Sequence, residues 1–167
     1  HQFSEVPFDY EIDGVKVLSP KYLMLPKVSE RVHSKLIATR ISPLIKKLIA
    51  EKSIDVINSQ WLFPDSVAVD SILPEGIPHI ATGLGCDIND DLYDPRKRQQ
   101  IKNLLHSVNS LTVMSHEHTN KLVAEGVQVE KIHVIHNGVD QDKFDIRTRS
   151  ESLEILGLKK DAQHLLY

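Results

Sequence analysis

Two glycines and an aspartate follow one of the short apolar segments of this sequence, in the run Gly83-Leu84-Gly85-Cys86-Asp87. Glycine lets a backbone approach a ligand closely, and a carboxylate accepts hydrogen bonds from hydroxyl groups. We therefore expect Gly83, Gly85 and Asp87 to contact a sugar or a phosphate, with Asp87 orienting either a ligand hydroxyl or the loop itself. The alternative is a turn in which the glycines only permit the dihedrals. Two glycines without a third do not meet the dinucleotide-binding fingerprint.

Three other places carry polar or aromatic residues that suit ligand binding. Ser115 precedes a helical segment, where it can cap the helix or donate to an anion at the helix N-terminus. Asn137 and Asp140 follow a β-branched strand, and they can contact a ligand, hinge two domains or form a structural turn. Gln60 and Trp61 can line a cleft, because aromatic faces stack on sugars; a partly buried core tryptophan is the alternative.

The nine histidines do not form a metal-binding pattern. His116 and His118 are two apart in a helical segment and therefore point to different sides. His133 and His136 flank a strand end without a carboxylate or cysteine fixed beside them. We expect no metal ligands, and no nucleophile with an adjacent base stands out.

The segments that must position these residues alternate between strand and helix. The predicted strands are residues 15–18, 54–58, 79–82, 110–114 and 132–135. The predicted helices cover residues 30–52 (with a kink or a second start at Pro43), 65–73, a segment that begins at 94, and 115–126. The last four strands are continuous apolar runs, which is typical of a parallel sheet buried on both faces. The pattern predicts an α/β fold: an open, Rossmann-like, three-layer domain with a mainly parallel sheet, whose ligands bind at the carboxyl ends of the strands.

Composition narrows the class of protein. A net charge of −3 and 41 % apolar residues indicate a globular domain and argue against a nucleic-acid partner. The single cysteine fits a reducing compartment, and no apolar run reaches the roughly 18 residues of a membrane span. The predicted helix 30–52 has a basic face, which is either solvated or in contact with an anionic membrane; the pattern favours solvation. We expect a cytoplasmic protein, at the inner face of the membrane if that helix contacts lipid.

Four segments, in this order, resemble the group 1 (family 4) glycosyltransferases with the GT-B fold. They are residues 55–65, residues 82–87, Val113-Met114-Ser115 with Leu122, and residues 134–140 with Phe144. Leu156-Gly157-Leu158 is similar to the usual beginning of the C-terminal domain in that family.

The resemblance implies a domain organisation and an activity. Residues 1–144 would be the N-terminal, acceptor-side domain, truncated at its start, because the first strand and glycine-rich loop of the family have no counterpart and the chain begins with His1. Residues 145–167 would be a linker and the first strand of an absent C-terminal domain. The parent enzyme would be a retaining hexosyltransferase of polysaccharide biosynthesis. It would move a sugar from a nucleotide-sugar to a glycan or lipid-linked acceptor without a metal cofactor, and this fragment alone would be inactive.

The sequence also departs from the family. Leu84 stands where a histidine is frequent, and Asn58 and Gln60 stand where histidines are common. A second hypothesis is therefore a non-catalytic α/β module that binds a nucleotide or a carbohydrate. A dehydrogenase-type domain is a third, and the missing glycine fingerprint weighs against it. The residues beyond Tyr167 would discriminate between an enzyme and a module.

Overall fold

The structure is a computed structural model that describes residues 5–24, 29–51 and 54–165. It consists of two compact units, residues 1–136 and 137–167. The first unit contains, in chain order, β1 (Asp9–Ile12), β2 (Val15–Leu18), α1 (His33–Glu51), β3 (Ile57–Gln60), α2 (Val67–Asp70), β4 (His79–Gly83), α3 (Cys86–Asn89), α4 (Arg98–Ser107), β5 (Ser110–Val113), α5 (His116–Ala124) and β6 (Ile132–Val134). The second unit contains α6 (Arg149–Ile155).

The main sheet has the order β3-β4-β5-β6, and every neighbouring pair is parallel. Helices join the strands, so the predicted α/β class and the parallel sheet are confirmed. Parallel strands place their carboxyl ends at one edge of a sheet. The loops after β3, β4, β5 and β6 therefore meet at the edge where ligands bind in such folds.

The two faces of the sheet differ in polarity. One face packs Ala81, Leu111 and Ile132 against residues of α4 and α5 in the main core. On the other face, the register aligns Gln60, Thr82, Thr112 and His133 across the four strands. The strands therefore alternate instead of being apolar throughout, and the Gln60 and His133 side chains are exposed.

Several predicted elements have different bounds. The helix predicted over residues 30–52 is a 3₁₀ turn, Glu30–Val32, followed by α1, which continues through Pro43 without the predicted restart. The alternative, a kink at Pro43, stays a prediction. Pro43 and Thr39 are both exposed, so water can reach the Thr39 carbonyl that Pro43 leaves without a hydrogen bond. The helix predicted over 65–73 is shorter, because an irregular turn, Leu62–Ser66, precedes α2. Residue 52, the predicted end of the helix over residues 30–52, lies outside the described residues.

The predicted strand 15–18 is confirmed, and a turn at Asp13-Gly14 precedes it. β2 pairs with β1, which the sequence analysis did not predict, in an antiparallel hairpin. Asp13 and Gly14 both have positive φ, 51° and 79°. Two such residues are what a tight hairpin turn requires.

The second unit is built around a capped helix. The Thr148 hydroxyl accepts from the Glu151 N–H, and the Glu151 carboxylate accepts from the Thr148 N–H, which is a capping box at the start of α6. Leu153 is buried on this helix. The sequence predicted that the chain ends in the first strand of a C-terminal domain. Residues 164 and 165 are not in a strand, and residues 166–167 lie outside the described part. The predicted division after residue 144 stays a prediction.

No helix in residues 5–24, 29–51 and 54–165 has both the length and the apolar character needed to cross a bilayer.

Candidate functional site

Asp87 joins two loops at the carboxyl edge of the sheet. Its side chain is fully buried, with 0 % exposure. One carboxylate oxygen accepts from the Leu62 N–H at 2.8 Å, and the other accepts from the Gly85 N–H at 2.8 Å and the Ile88 N–H at 3.1 Å. The Leu84 N–H donates to the same carboxylate at 3.0 Å. Asp87 therefore orients the loop, as one of its two predicted roles requires, and its oxygens are occupied by backbone donors. We call this arrangement the Asp87 clamp.

The two glycines beside the clamp are present for different reasons. A Cβ atom at Gly83 would lie 2.5 Å from the Ile88 Cδ1 atom, so a side chain there would require the buried Ile88 to shift. Gly85 has φ of 137°, which other residues rarely adopt, and a Cβ atom there would meet open space. Both glycines therefore shape the loop, and Gly85 alone faces open space.

Trp61 has a strained backbone. Its φ is 74°, which makes it an outlier for a bulky residue. The Trp61 N–H donates to the Thr82 carbonyl at 2.8 Å, and the Trp61 carbonyl accepts from the Ser66 N–H at 3.0 Å. These bonds hold a conformation that costs about 1–3 kcal/mol, and the indole is left 44 % exposed. Strain that keeps an aromatic side chain at the surface is typical of a functional site.

Trp61 is one of the residues that line a cavity of about 410 Å³. We call it the Trp61 pocket. Its other lining residues are Tyr22, Met24, Glu30, His33, Phe63, Pro64, Asp65, Asp91 and Lys97. The volume lies in the range of small-molecule sites. The pocket lies at the loop after β3, where the fold predicts ligand binding.

Three titratable side chains meet in the Trp61 pocket. The Tyr22 hydroxyl and the His33 Nε2 atom are hydrogen-bonded at 2.8 Å. Burial raises the pKa of Asp65, and the nearby His33 opposes that shift. Burial lowers the pKa of His33, which Asp65 opposes and Lys97 reinforces. The pKa of Tyr22 is raised by burial and then by Asp65. A carboxyl group with a raised pKa inside a cavity is a candidate ligand-binding group.

The other charged groups of the pocket are paired. Lys97 contacts Asp91 at 2.5 Å, and its Nζ atom also lies 5.5 Å from the centre of the Phe63 ring. Glu30 is paired with Arg96. Within the described residues, no lysine or arginine is paired with Asp65, and the charged group closest to it in effect is His33.

Gln60 belongs to a polar row on the open face of the sheet. Its Nε2 atom donates to the Asn58 Oδ1 atom at 3.0 Å and to the Thr82 Oγ1 atom at 3.1 Å. Thr82 and Thr112 are joined through their hydroxyls at 2.6 Å. Gln60 and Trp61 are therefore separated: one lies in the polar row and the other lines the Trp61 pocket.

Ser115 caps α5, because its hydroxyl accepts from the His118 N–H at 3.3 Å. At the same edge, the His136 Nδ1 atom is hydrogen-bonded to the Met114 carbonyl at 2.9 Å, and the His116 and His136 rings lie 6.4 Å apart.

Asn137 and Asp140 fall in the second unit. Asn137 is exposed, and neither it nor Gly138 has a positive φ. Instead, the turn begins at Asp140, whose carbonyl accepts from the Phe144 N–H at 2.9 Å and whose carboxylate accepts from the Asp142 N–H at 3.1 Å. Asp140 therefore has a structural role in its own turn.

A buried chain of hydrogen-bonded polar side chains, which we call the relay, begins at Ser59 in β3. The Ser59 hydroxyl is 2.7 Å from the His79 Nε2 atom, and the His79 Nδ1 atom is 3.2 Å from Asp70. The order matches a nucleophile, a base and an orienting acid. Ser59 and His79 are buried, however, and Ser59 also contacts Ser66 at 2.7 Å. The relay therefore satisfies core polar groups and offers no nucleophile to a substrate.

Tyr22, His33 and Asp65 are pocket residues that the sequence did not predict as site residues. Asp65 was part of a noted segment, and only its position just after a strand could have drawn attention to it. Tyr22 comes from an irregular stretch without periodicity, and His33 is the first residue of α1, where its position in the helix gives no sign of a site. Among the residues that the structure describes, no group of three histidine, cysteine, aspartate or glutamate side chains is arranged to hold a metal.

Comparison with known proteins adds an identification. A search of curated proteins gives no match. The sequence model of the family described as Glycosyltransferase Family 4 matches residues 7–143, which include the main sheet, the Asp87 clamp and the Trp61 pocket. The match covers most of the chain, and the chain therefore belongs to this glycosyltransferase family.

Proposed function

We propose that this chain is the acceptor-side, N-terminal domain of a retaining glycosyltransferase with the GT-B fold. The parent enzyme, of the hexosyltransferase type, transfers a sugar from a nucleotide-sugar to a glycan or lipid-linked acceptor in polysaccharide biosynthesis. The family match over residues 7–143 carries this proposal. The nucleotide-sugar is a substrate, and no metal cofactor takes part. The C-terminal domain supplies most of the donor site, so the 167-residue chain alone has no transferase activity.

The arrangement at the sheet edge supports an acceptor-side role. Glycosyl transfer needs a positioned acceptor hydroxyl and stabilisation of a developing positive charge at the sugar. The Trp61 pocket offers an aromatic wall, the Asp65 carboxylate and the His33 imidazole for such positioning. Leu84 offers no polar side chain where related enzymes often have a histidine, and its N–H is bound in the Asp87 clamp.

A cytoplasmic location at the inner face of the membrane accompanies a lipid-linked acceptor. On α1, the side chains of Lys35, Arg40, Lys46 and Lys47 are exposed. If α1 contacts the membrane, these cations are the groups that meet anionic lipid headgroups. Lys47 is also 3.8 Å from Glu51, which reduces its contribution.

The test is an activity assay on the protein encoded by the full open reading frame. Purified enzyme is incubated with UDP-, GDP- and ADP-hexoses and a detergent extract of lipid-linked acceptors, and nucleotide release and labelled product are measured. We expect acceptor-dependent release with one donor and a product that keeps the anomeric configuration of the donor. EDTA should not reduce the rate.

Two controls make this assay decisive. The 167-residue chain, assayed in parallel, should release no nucleotide above background. Inversion of the anomeric centre would contradict the retaining mechanism. No transfer with any donor, together with saturable binding of a carbohydrate or nucleotide by the chain alone, would favour the non-catalytic binding module.

A further inference from the structure

We infer that the Trp61 pocket binds one uncharged sugar ring and rejects anionic sugars, with Trp61 as the stacking face and Asp65 as the acceptor for sugar hydroxyls. As an acceptor subsite, this inference rests on the proposed function. As a binding property of the chain, it can be tested without any transfer reaction.

The first step of the argument is the orientation of Trp61. An apolar ring that is 44 % exposed on a backbone with φ of 74° gains neither full burial nor relaxed geometry. Hydrogen bonds to Thr82 and from Ser66 fix that backbone, so the side chain leaves the chain from a fixed position beside the pocket. A preorganised aromatic face of this kind suits the C–H-rich face of a pyranose ring.

The second step is the hydrogen-bonding inventory. The Asp65 carboxylate is an acceptor for two hydroxyl donors, whereas the Tyr22 hydroxyl and the His33 imidazole already contact each other at 2.8 Å. The pair can still donate to or accept from a ligand oxygen at the pocket mouth. Sugars need this mixture of one aromatic face and several convergent polar groups.

The third step is charge. Three carboxylates line the pocket, those of Glu30, Asp65 and Asp91, against one ammonium group, that of Lys97. Among the described residues that line the pocket, Lys97 is the only lysine or arginine, and Asp91 already holds it, so it offsets little of the repulsion between Asp65 and an incoming phosphate or carboxylate. The pocket therefore selects against sugar phosphates and uronic acids, and a nucleotide-sugar must place its phosphates elsewhere.

The experiment uses intrinsic fluorescence, because Trp61 is the only tryptophan in the sequence. The chain is titrated with the methyl glycosides of glucose, galactose and mannose, and separately with glucose 6-phosphate and glucuronate. We expect a saturable change in emission with at least one neutral glycoside, with Kd of about 10 mM, and at least tenfold weaker binding of both anions.

Variants connect the signal to the pocket. Asp65→Asn keeps the side-chain shape, removes the charge, and should weaken glycoside binding about tenfold, since a hydrogen bond to a charged group is lost. Asp55→Asn is the matched control, because Asp55 is exposed at the opposite end of the same strand region, and it should leave binding unchanged. Thermal unfolding of each variant verifies that it is folded.

Three results would overturn the inference: no saturable emission change up to about 100 mM of any neutral glycoside, tighter binding of either anion, or equal binding by Asp65→Asn and the unsubstituted chain. The proposed function fails separately. If the chain binds a glycoside but the full-length protein transfers no sugar, the sugar subsite is retained and the transferase activity is rejected. If the full-length protein transfers a sugar but the chain binds no glycoside, the transferase activity is retained and the sugar subsite is rejected.

Discussion

Replacing Asp87 with asparagine should reduce stability strongly, although the side chain keeps its shape. Asparagine has one acceptor oxygen in place of two. If that oxygen retains the bonds from Gly85 and Ile88, the new NH₂ group faces the Leu62 N–H, which now donates to the carboxylate at 2.8 Å. Two donors then point at each other in a fully buried position.

The expected loss follows from the bonds in the clamp. A hydrogen bond to a charged group contributes about 1.5–3 kcal/mol, and a buried donor left unsatisfied costs about 1–3 kcal/mol. Because these terms overlap, we expect Asp87→Asn to lower the free energy of unfolding by about 3 kcal/mol. Asp87→Ala leaves all four N–H groups without the carboxylate and should cost about 5 kcal/mol, a large part of the total for a domain of this size.

The assay is urea unfolding followed by far-UV circular dichroism and by Trp61 emission. With a slope of about 2 kcal/mol per M urea, a loss of about 3 kcal/mol lowers the midpoint by about 1.5 M. Asp55→Asn serves as the exposed control and should not move the midpoint. An Asp87→Asn midpoint that corresponds to a loss below about 1 kcal/mol would refute the role assigned to the clamp.

Three further predictions concern neighbouring features. Gly83→Ala should destabilise the chain by about 1–3 kcal/mol, since its Cβ would lie 2.5 Å from Ile88 Cδ1, and adding Ile88→Val should recover part of the loss in urea titrations; no recovery would contradict a steric cause. Asp65→Asn should raise the free energy of unfolding at pH 7, because burial raises the pKa of Asp65 in the folded state. The cost of ionising Asp65 in the folded state is absent below the unfolded pKa of 3.8, and it grows as pH rises through the folded pKa. If Asp65→Asn stabilised the chain as much at pH 3 as at pH 7, burial of the Asp65 charge would not be the cause. His79→Phe should cost about 1–3 kcal/mol in the same assay, because the Ser59 hydroxyl loses a buried partner at 2.7 Å; an unchanged midpoint would mean that the relay does not contribute.

Much of the fold could be predicted because its signals are local. Ser115 precedes an amphipathic segment, so the N-terminus of α5 was predicted correctly. The strand starting at residue 79 was also placed at its observed start. In each case the residues that specify the structure lie within a few positions of it.

The elements that were missed depend on contacts between distant parts of the chain. α3, at Cys86–Asn89, follows a glycine with φ of 137° and is held by Asp87, whose partner Leu62 lies 25 positions earlier. β3 begins three residues later than predicted, because pairing with β4, rather than apolar character, sets its start. The spacing of apolar residues in the sequence does not indicate these long-range contacts.

The candidate site also depends on contacts between distant residues, and these contacts place the ligand-binding groups outside the glycine-aspartate loop. The glycine-aspartate loop has the composition of a ligand-binding loop, yet its aspartate is saturated by four backbone N–H groups. One of those donors is Leu62, the residue directly after Trp61. Asp87 thus fixes the end of the segment that presents the indole. The loop affects binding only by holding the Trp61 segment in place. Trp61 and Asp65 supply the aromatic surface and the charge that contact a ligand. A sequence motif identified the right edge of the sheet, and the three-dimensional contacts determine which side chains at that edge are available to a ligand.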